Sequence, residues 1–382
     1  MSNTPLTDML DAARERRTRL GLVRQLSARG AGGEPGRDAA GLLDLAGNDY
    51  LGLLTDPDVI DAAVAAVRAY GAGAGASRLV TGHLELHEEL EGALAAHMGA
   101  ETALVFSTGY HANLAAVTAL TGADCLVVSD AHVHASLVDG ARLAKAPVAI
   151  ARHGDVAPVE ELLAARSEAR AVILAESVYS VLGDAAPLRD LLAVARRYGA
   201  TVLLDEAHGL GVVGARGEGL AAALGVAGDD HLIVTTTLSK SLAAQGGAVL
   251  GSTAVRDHLI NTARPFIYDT GLAPAAAGAA LAALRILTRR PELADSVRAN
   301  AALLAQACGL EPVAGAVLSV AMPGPQEALD GVARAAAAGV RIGCFRPPST
   351  PDGDSRLRFT AHAQHTREQL APALAVLADV TR

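Results

Sequence analysis

Residues 232–251 read LIVTTTLSKSLAAQGGAVLG, in which two short apolar runs flank a single lysine, Lys240. Apolar runs of this length that do not alternate with polar residues are typical of strands buried on both faces. Of the 32 lysine and arginine residues in the chain, only Lys145 and Lys240 are lysines. Lysine can lose its proton and arginine cannot, so we expect Lys240 to serve chemistry that requires a neutral amine.

The same kind of apolar run recurs through the first part of the chain. Further examples, each bounded by turn residues or a helical pattern, are TALVFS, CLVVSD, PVAIAR, AVILAES and TVLLDEAH. Helical patterns such as GYHANLAAVTAL and LRDLLAVARRYG lie between them. Strands that alternate with helices indicate an α/β fold, so we predict a mostly parallel sheet flanked by helices.

The pattern also predicts a division of the chain into parts. Residues 1–45 read as an amphipathic helix followed by a Gly/Pro-rich connector, and residues 46–270 as a large α/β domain. Near residue 271 the pattern changes to Ala-rich helices and a few strands, so residues 271–382 are predicted to form a smaller α+β C-terminal domain. A chain of 382 residues is long enough for two such lobes.

Composition argues against several classes of function. The formal net charge of −9 offers no electrostatic footprint for nucleic acid or an anionic membrane. No apolar segment approaches the ~20 residues of a membrane span, and the N-terminal stretch lacks the apolar core of a secretory signal. Cys125, Cys308 and Cys344 are odd in number and far apart, which favours reduced thiols over disulfides or a zinc site. We therefore expect a cytoplasmic protein without a metal.

Several predicted strands end in residues that can carry chemistry. TVLLDEAH ends with Asp205 and, three residues on, His208. AVILAES leads to Ser180, and CLVVSD leads to His134. Ligands of open α/β sheets bind at the carboxyl ends of the strands, so we expect these side chains to meet Lys240 there.

This combination indicates a pyridoxal phosphate (PLP) site. The cofactor needs a lysine amine for a Schiff base and a carboxylate against its pyridine nitrogen, and its phosphate needs backbone N–H groups at a helix start. Lys240, Asp205 and the turn at residues 107–110 could supply all three. Each feature alone also has a structural explanation, because an acid that ends a strand is often a helix cap and TLSK could be an ordinary turn.

Motifs in a fixed order extend this interpretation: NDYLGL, GAGASRLVTG, STGYHAN, HASL, DEAHGLGVVG, TLSKSLAAQGG, and FRPP followed by SRLRFTA. Together they resemble the α-oxoamine synthases of the fold-type I PLP-dependent transferases, over residues 42–361. A single piece such as GxG is weak, whereas the ordered set is specific. The resemblance implies the fold-type I architecture and PLP as the cofactor.

The resemblance also implies roles around the cofactor ring. Lys240 would form the Schiff base and later act as the base at the substrate Cα. Asp205 would pair with the pyridine nitrogen, while His208 and Ser180 would lie near the ring oxygen. His134, the histidine of HASL, would stack on the ring face; a buried, hydrogen-bonded histidine is the structural alternative.

For the phosphate, the resemblance implies the backbone N–H groups of Gly109 and Tyr110 together with the Thr237 hydroxyl. Thr270, in YDTGLAP, would reach the phosphate of a partner subunit, which implies a homodimer with a shared active site.

For the substrates, the resemblance implies three further positions. Arg346 of FRPP would bind the amino-acid carboxylate, a bidentate task that suits a guanidinium. Asn48 of NDYLGL and Arg24 would face the substrates.

The implied reaction is the decarboxylative condensation of L-alanine with a pimeloyl thioester, carried by CoA or by a carrier protein, with release of CO2 and the free thiol. SRLVTG resembles the biotin-pathway members of the family more than their relatives. Within the same class, glycine with acetyl-CoA (glycine C-acetyltransferase), glycine with succinyl-CoA, and serine with a long acyl chain remain alternatives. Transamination and a non-catalytic scaffold are alternatives of other classes; His134 at the stacking position argues against the first, and the Lys240–Asp205 pair against the second.

Two motifs suggest other ligands but fit them poorly. GLGVVG at residues 209–214 matches the dinucleotide pattern GxGxxG, yet DEAH separates it from the strand and no helix begins among its glycines. His83 and His87 could share a helix face as metal ligands, but no third ligand follows at a telling spacing, so we expect a solvated helix start.

Overall fold

The computed structural model of the chain describes residues 4–28, 30–32, 34 and 36–382. Residues 1–3 of the predicted N-terminal helical segment, and Arg29, Gly33 and Pro35 of the predicted connector, lie outside the described residues.

Within the described residues the strands are β1 (Leu43–Asp44), β2 (Thr102–Phe106), β3 (Cys125–Asp130), β4 (Val148–Ala151), β5 (Arg170–Glu176), β6 (Thr201–Asp205), β7 (Leu232–Thr237), β8 (Gly247–Gly251), β9 (Val317–Met322), β10 (Val340–Arg341), β11 (Gly343–Phe345) and β12 (Ser355–Thr360). The helices are α1 (Pro5–Arg19), α2 (Pro57–Tyr70), α3 (Glu85–Met98), α4 (Gly109–Leu120), α5 (Ala135–Ala144), α6 (Val156–Ala165), α7 (Leu188–Tyr198), α8 (Leu220–Ala223), α9 (Thr253–Thr262), α10 (Arg264–Ile267), α11 (Pro274–Arg289), α12 (Glu292–Ala307), α13 (Pro325–Ala337) and α14 (Arg367–Val380).

A seven-stranded sheet forms the centre of the molecule, in the order β2-β8-β7-β6-β5-β3-β4. The five strands from β7 to β4 pair in parallel. Strand β8 runs antiparallel to both of its neighbours, β2 and β7. The prediction of an α/β fold with a mostly parallel central sheet is confirmed.

Burial on both faces of this sheet explains why its strands do not alternate in polarity. In β6, Leu203 joins the apolar cluster that includes residues of α4 and α5, whereas Val202 and Leu204 join the cluster on the other face. Successive side chains of a strand point to opposite faces, so both must be apolar when both faces are covered. Helices α4 and α5 pack closely because Gly140 faces Val117, where an added Cβ would lie 2.8 Å from the valine Cβ.

A second, three-stranded antiparallel sheet lies in the C-terminal part, in the order β11-β12-β9. The short β1 pairs in parallel with β10, which links the N-terminal segment to the C-terminal part. Helix α11 packs on α2, with Gly278 so near Ala62 that an added Cβ would lie 2.9 Å from the alanine carbonyl oxygen. The division at residue 270 stays a prediction.

No helix among the described residues is long and apolar enough to cross a membrane. In the same ranges, no group of three or more His, Cys, Asp or Glu residues could hold a metal ion. The three cysteines are free thiols.

The structure corrects the expectation of a solvated helix start for His87, whereas His83 is exposed as expected. His87 is buried, and its Nε2 lies 2.8 Å from the carbonyl oxygen of Leu272. Burial lowers the pKa of His87. The first two turns of α3 also bury Leu86 and Leu90, so His87 is a core histidine rather than a surface one.

Candidate active site

A cavity of about 270 Å³ opens at the carboxyl ends of the parallel strands. It collects residues that are far apart in the sequence, from the turn before α4 to the turn after β7. Its lining residues are Thr108, Gly109, Tyr110, Asn113, His134, Ser136, Glu176, Asp205, Ala207, His208, Thr236, Thr237, Ser239 and Lys240. The edge of the sheet predicted to hold the site is therefore the edge where these side chains converge.

Lys240 lies in the turn between β7 and β8 and lines this cavity. Burial lowers the pKa of its amine to about 8, although the carboxylates of Asp205 and Glu176 act in the opposite direction. A substantial fraction of the amine is thus neutral near physiological pH. Lys145, in contrast, is exposed at the end of α5 and does not line the cavity.

Asp205 is the last residue of β6 and is buried. One carboxylate oxygen accepts a hydrogen bond from Asn113 Nδ2 at 2.7 Å, and the other accepts from the Ala207 backbone N–H at 2.9 Å. Both contacts come from N–H donors, so the side chain is fixed in the cavity lining, where its oxygens can face a positively charged group.

The first turn of α4 forms a cradle with the features of an anion site. Thr108 caps the helix, its hydroxyl accepting from the His111 backbone N–H. Gly109 approaches Thr237 so closely that an added Cβ would lie 2.8 Å from the threonine Cβ. Because Gly109 has no side chain, the backbone N–H groups at the start of α4 and the Thr237 hydroxyl border the same open space. The Thr237 hydroxyl also lies 2.7 Å from Ser239 Oγ.

His208 is buried beside the cavity, with Nδ1 at 2.7 Å from the Tyr50 hydroxyl. Burial, together with the positive charges of Lys240 and Arg358, lowers the pKa of His208 well below its usual value. Tyr50 in turn donates to Asn48 Oδ1 at 3.1 Å, and burial raises the pKa of Tyr50 to about 12. The imidazole at this position is therefore neutral.

His134 caps the start of α5 and also lines the cavity. Its Nδ1 is 2.7 Å from Ser136 Oγ and 3.3 Å from the Ser136 backbone nitrogen. Partial burial lowers the pKa of His134. The ring of Tyr110 meets it edge to face, with centroids 6.4 Å apart.

Glu176, which the sequence did not single out, ends β5 inside the cavity lining. It is 2 % exposed, its Oε2 accepts from the Ser180 backbone N–H at 2.9 Å, and its Oε1 has no partner among the described residues. Burial and the nearby Asp205 carboxylate raise the pKa of Glu176 to about 8. The sequence did offer a signal for Glu176: it is an acidic residue at the end of a buried strand, and two neighbouring strands end in predicted site residues.

Arg358 on β12 is a second residue that sequence reasoning missed. Its guanidinium is buried, donates from Nε to the Ser180 carbonyl at 3.0 Å, and lies 3.4 Å from Asn48 Oδ1. Its Cζ stands 4.9 Å from the centroid of the Phe345 ring. Arg358 therefore links the C-terminal sheet with Asn48, Ser180 and, through its charge, His208.

Arg346 and Arg24 lie together, but not in the lining of the central cavity. Arg346 donates to the carbonyl oxygens of Gly21 and Val23, and Arg24 donates to Ser349 Oγ at 3.0 Å. Both arginines line a small polar pocket of about 40 Å³. The structure thus brings these two predicted substrate residues to each other.

Two predicted cofactor residues lie outside the cavity lining of the single chain. Ser180 contributes backbone contacts, its N–H donating to Glu176 and its carbonyl accepting from Arg358. Thr270 is exposed and follows Asp269, which accepts from the Ser107 hydroxyl near the start of α4.

The fold and the cavity together define the fold-type I class of PLP-dependent enzymes. The chain belongs to the family of aminotransferase class I and II, whose model matches residues 40–377.

Within that family the chain is similar to proteins named 8-amino-7-oxononanoate synthase. It is 54% identical to the one from Mycolicibacterium gilvum, over 97% of this chain and 96% of the relative. It is 52% identical to the one from Mycobacterium leprae (strain TN), over 97% of this chain and 94% of the relative.

Solved structures agree on the architecture. A serine palmitoyltransferase from S. paucimobilis with a bound PLP–myriocin aldimine superimposes with a TM-score of 0.91 at 31% identity, covering 99% of this chain and 98% of the other. An 8-amino-7-oxononanoate synthase from Francisella tularensis gives a TM-score of 0.76 at 25% identity, covering 89% of this chain and 98% of the other.

Proposed function

We propose that the chain is a PLP-dependent acyltransferase that condenses L-alanine with a pimeloyl thioester. The products are 8-amino-7-oxononanoate, CO2 and the free thiol, a step of biotin biosynthesis. The observation that carries this proposal is the identity of 54% to 8-amino-7-oxononanoate synthase over 97% of the chain. The meeting of Lys240 and Asp205 in one cavity supports it.

The residues of the cavity fit the cofactor. Lys240 offers an amine with a lowered pKa, Asp205 a buried carboxylate, and the space kept open by Gly109 a cradle for a phosphate. When bound, PLP withdraws electrons from the substrate Cα and so permits both loss of its proton and loss of the carboxyl group.

Each residue then has a defined task. The Lys240 amine takes the proton from the alanine Cα, which requires the neutral form that burial favours. The Asp205 carboxylate would hold a proton on the pyridine nitrogen. His208 and Ser180 would lie near the ring oxygen, and the His134 ring would cover one face of the pyridine. Gly109, Tyr110 and Thr237 would bind the phosphate.

For the alanine carboxylate we propose Arg358 together with Asn48. The Asn48 amide oxygen accepts from Arg358 and Tyr50, so its NH2 group can donate to a carboxylate bound beside the guanidinium. Charge-assisted hydrogen bonds of this kind are the strong ones. The earlier assignment of this role to Arg346 stays a prediction, since that side chain donates to two backbone carbonyls. Arg24, which donates to Ser349, stays a prediction for contact with the substrates.

We further propose a homodimer, acting in the cytoplasm, in which Thr270 contacts the partner's phosphate. The apolar residues Ile60, Val64 and Val67 are exposed on one face of α2 at helical spacing. Leu79 and Val80 are exposed in the loop that follows. An exposed apolar surface of this kind favours association, and Thr270 is free of the cavity of its own chain.

The test is to supply L-alanine, glycine or L-serine, each with pimeloyl, acetyl, succinyl or palmitoyl thioester, and to identify the product by mass spectrometry. We expect 8-amino-7-oxononanoate from alanine and the pimeloyl thioester. Consumption of glycine but not alanine would contradict the assignment in favour of another α-oxoamine synthase. A long-chain product from serine would favour the activity named for the serine palmitoyltransferase neighbours.

A further inference from the structure

Four polar side chains connect strand β7 with the cavity-facing ring of His134. They are Thr235, Asn113, Ser136 and His134, and we call them the Asn113 chain. The first three are buried, at 1 %, 3 % and 0 % exposure. A buried chain of hydrogen bonds has a direction because each donor needs one acceptor. The direction decides which nitrogen of His134 carries the proton.

The amide of Asn113 fixes the direction at one end. An ionised carboxylate can only accept hydrogen bonds, so the NH2 group of Asn113 must face Asp205, with Nδ2 at 2.7 Å from Asp205 Oδ2. The same NH2 group lies 2.8 Å from Ser136 Oγ. The amide oxygen then faces Thr235, whose hydroxyl donates to it at 2.6 Å. Both donors and the acceptor of Asn113 are used.

The direction continues through Ser136. Its hydroxyl oxygen accepts from Asn113, so its hydrogen is available to donate to His134 Nδ1 at 2.7 Å. The backbone N–H of Ser136 also points to Nδ1, at 3.3 Å. With two donors directed at it, Nδ1 has to be the unprotonated nitrogen of a neutral ring.

We propose that Asn113 and Ser136 are positioning residues that hold His134 as the neutral imidazole with its proton on Nε2. The cavity then faces an uncharged ring whose one N–H is a donor. His134 cannot take a proton at Nδ1 unless the chain breaks. The same Asn113 amide also contacts the Asp205 carboxylate, so one side chain orients both Asp205 and, through Ser136, His134. The link to a cofactor ring rests on the proposed function, whereas the tautomer does not.

The tautomer can be read from nitrogen chemical shifts of the full-length protein labelled with [15N]histidine, with and without added PLP, between pH 6 and 8.5. The variant His134→Gln identifies the His134 signals. Ser136→Ala removes the hydroxyl that donates to His134. Asn113→Asp replaces the NH2 donor by an acceptor, so the Ser136 hydroxyl should donate to residue 113 instead of His134. His258→Gln, at an exposed histidine, is the matched control.

We expect wild-type His134 to show the Nε2–H pattern across this range. In Ser136→Ala the signals should move toward a mixture of tautomers, and His134 should gain a proton at higher pH than in the wild type. Asn113→Asp should shift them in the same direction; if that variant fails to fold, Ser136→Ala alone decides. An Nδ1–H or doubly protonated ring at neutral pH in the wild type overturns the proposal. Unchanged signals in Ser136→Ala overturn it as well.

These measurements do not depend on turnover. A wild-type Nε2–H signal in a protein that makes no 8-amino-7-oxononanoate would reject the proposed function and leave the Asn113 chain standing. The reverse result, a correct product with an Nδ1–H ring, would reject the chain alone.

Discussion

The two histidines of the cavity and His153 have opposite charge behaviour. In the cavity, burial lowers the pKa of His134 and His208. Outside the cavity lining, the ring of His153 lies between two carboxylates, with Nδ1 at 2.9 Å from Asp130 and Nε2 at 3.1 Å from Asp184. Burial also opposes the charge of His153, but these two hydrogen bonds outweigh it and raise its pKa to about 9.

The difference lies in the partners rather than in the depth of burial. The cavity histidines bond to hydroxyls, through Tyr50 and Ser136, whereas both nitrogens of His153 meet acids. A charged histidine suits a structural bridge, here between the end of β3 and the loop after β5. Neutral rings suit a cavity in which a lysine has to lose its proton.

The largest expected effect comes from removing the Lys240 amine, whose loss of a proton the neutral histidines of the cavity favour. Lys240→Ala should lower kcat/KM by more than about 10³-fold, since a positioned base alone contributes roughly 10²–10⁴. The purified variant should also lack the yellow absorbance of a lysine-bound cofactor. Lys145→Arg, at an exposed site, is the control and should keep both colour and activity. Loss of the colour in the Lys145 variant, but not in the Lys240 variant, would contradict the assignment of the cavity as the cofactor site.

Arg358 supplies one of the positive charges that keep His208 neutral. Arg358→Lys should raise KM for alanine by about 10–100-fold, because hydrogen bonds to charged groups contribute roughly 1.5–3 kcal/mol. Arg356→Lys, two residues earlier on β12, is the matched control, since Arg356 pairs with Asp352 instead. An equal rise in KM for both variants would refute a specific carboxylate site at Arg358.

Glu176 is the group in the cavity whose charge changes together with that of Lys240. Its ionised carboxylate raises the pKa of Lys240, so Glu176→Gln should lower that pKa. Attachment of PLP to the cofactor-free protein needs a neutral amine, so its rate should rise with pH through about 8 in the wild type. In Glu176→Gln the rise should begin at lower pH. Stopped-flow absorbance measures this rate, and Glu161→Gln on the surface of α6 should leave the profile unchanged.

The smallest expected effect concerns stability rather than catalysis. The folded-state pKa of His153, about 9, lies above the ordinary histidine value of 6.5. Its contribution to the free energy of unfolding is therefore complete below pH 6.5 and disappears as the pH rises through 9. His153→Gln should cost about 1–2 kcal/mol at pH 6 and much less at pH 9.5. Urea unfolding at the two pH values measures the difference; equal losses would contradict the charged bridge.

Periodicity and turn residues predicted much of the fold from the sequence. GYHANLAAVTAL coincides with helix α4, and LIVTTT coincides with strand β7. These segments are short, buried and bounded by turn signals, so local patterns determine them. The antiparallel direction of β8 was not predicted, because an apolar run carries no information about which way its strand runs in the sheet.

The site was predicted in part, for a related reason. Lys240, Asp205, His134 and His208 sit at the ends of strands or helices, where chemistry can be expected. Asn113 lies inside a helix, and Arg358 inside a strand whose pairing decides the direction of its side chain. Tertiary contacts bring such residues to the site. The sequence alone does not show these contacts, because it does not show how the strands pair.

The reversed direction of β8 has a consequence for engineering this protein. The chain leaves the sheet at Thr237 and returns at Gly247, on the same edge, and the Leu238 N–H bonds to the Gly246 carbonyl across the gap. At Gly247 the chain passes so near Gly109 that a side chain on Gly247 would collide with the Gly109 backbone. A side chain on Gly109 would collide with Thr237. Lengthening this loop would disturb the contacts between these segments, so new insertions are better sought in the exposed residues 351–354.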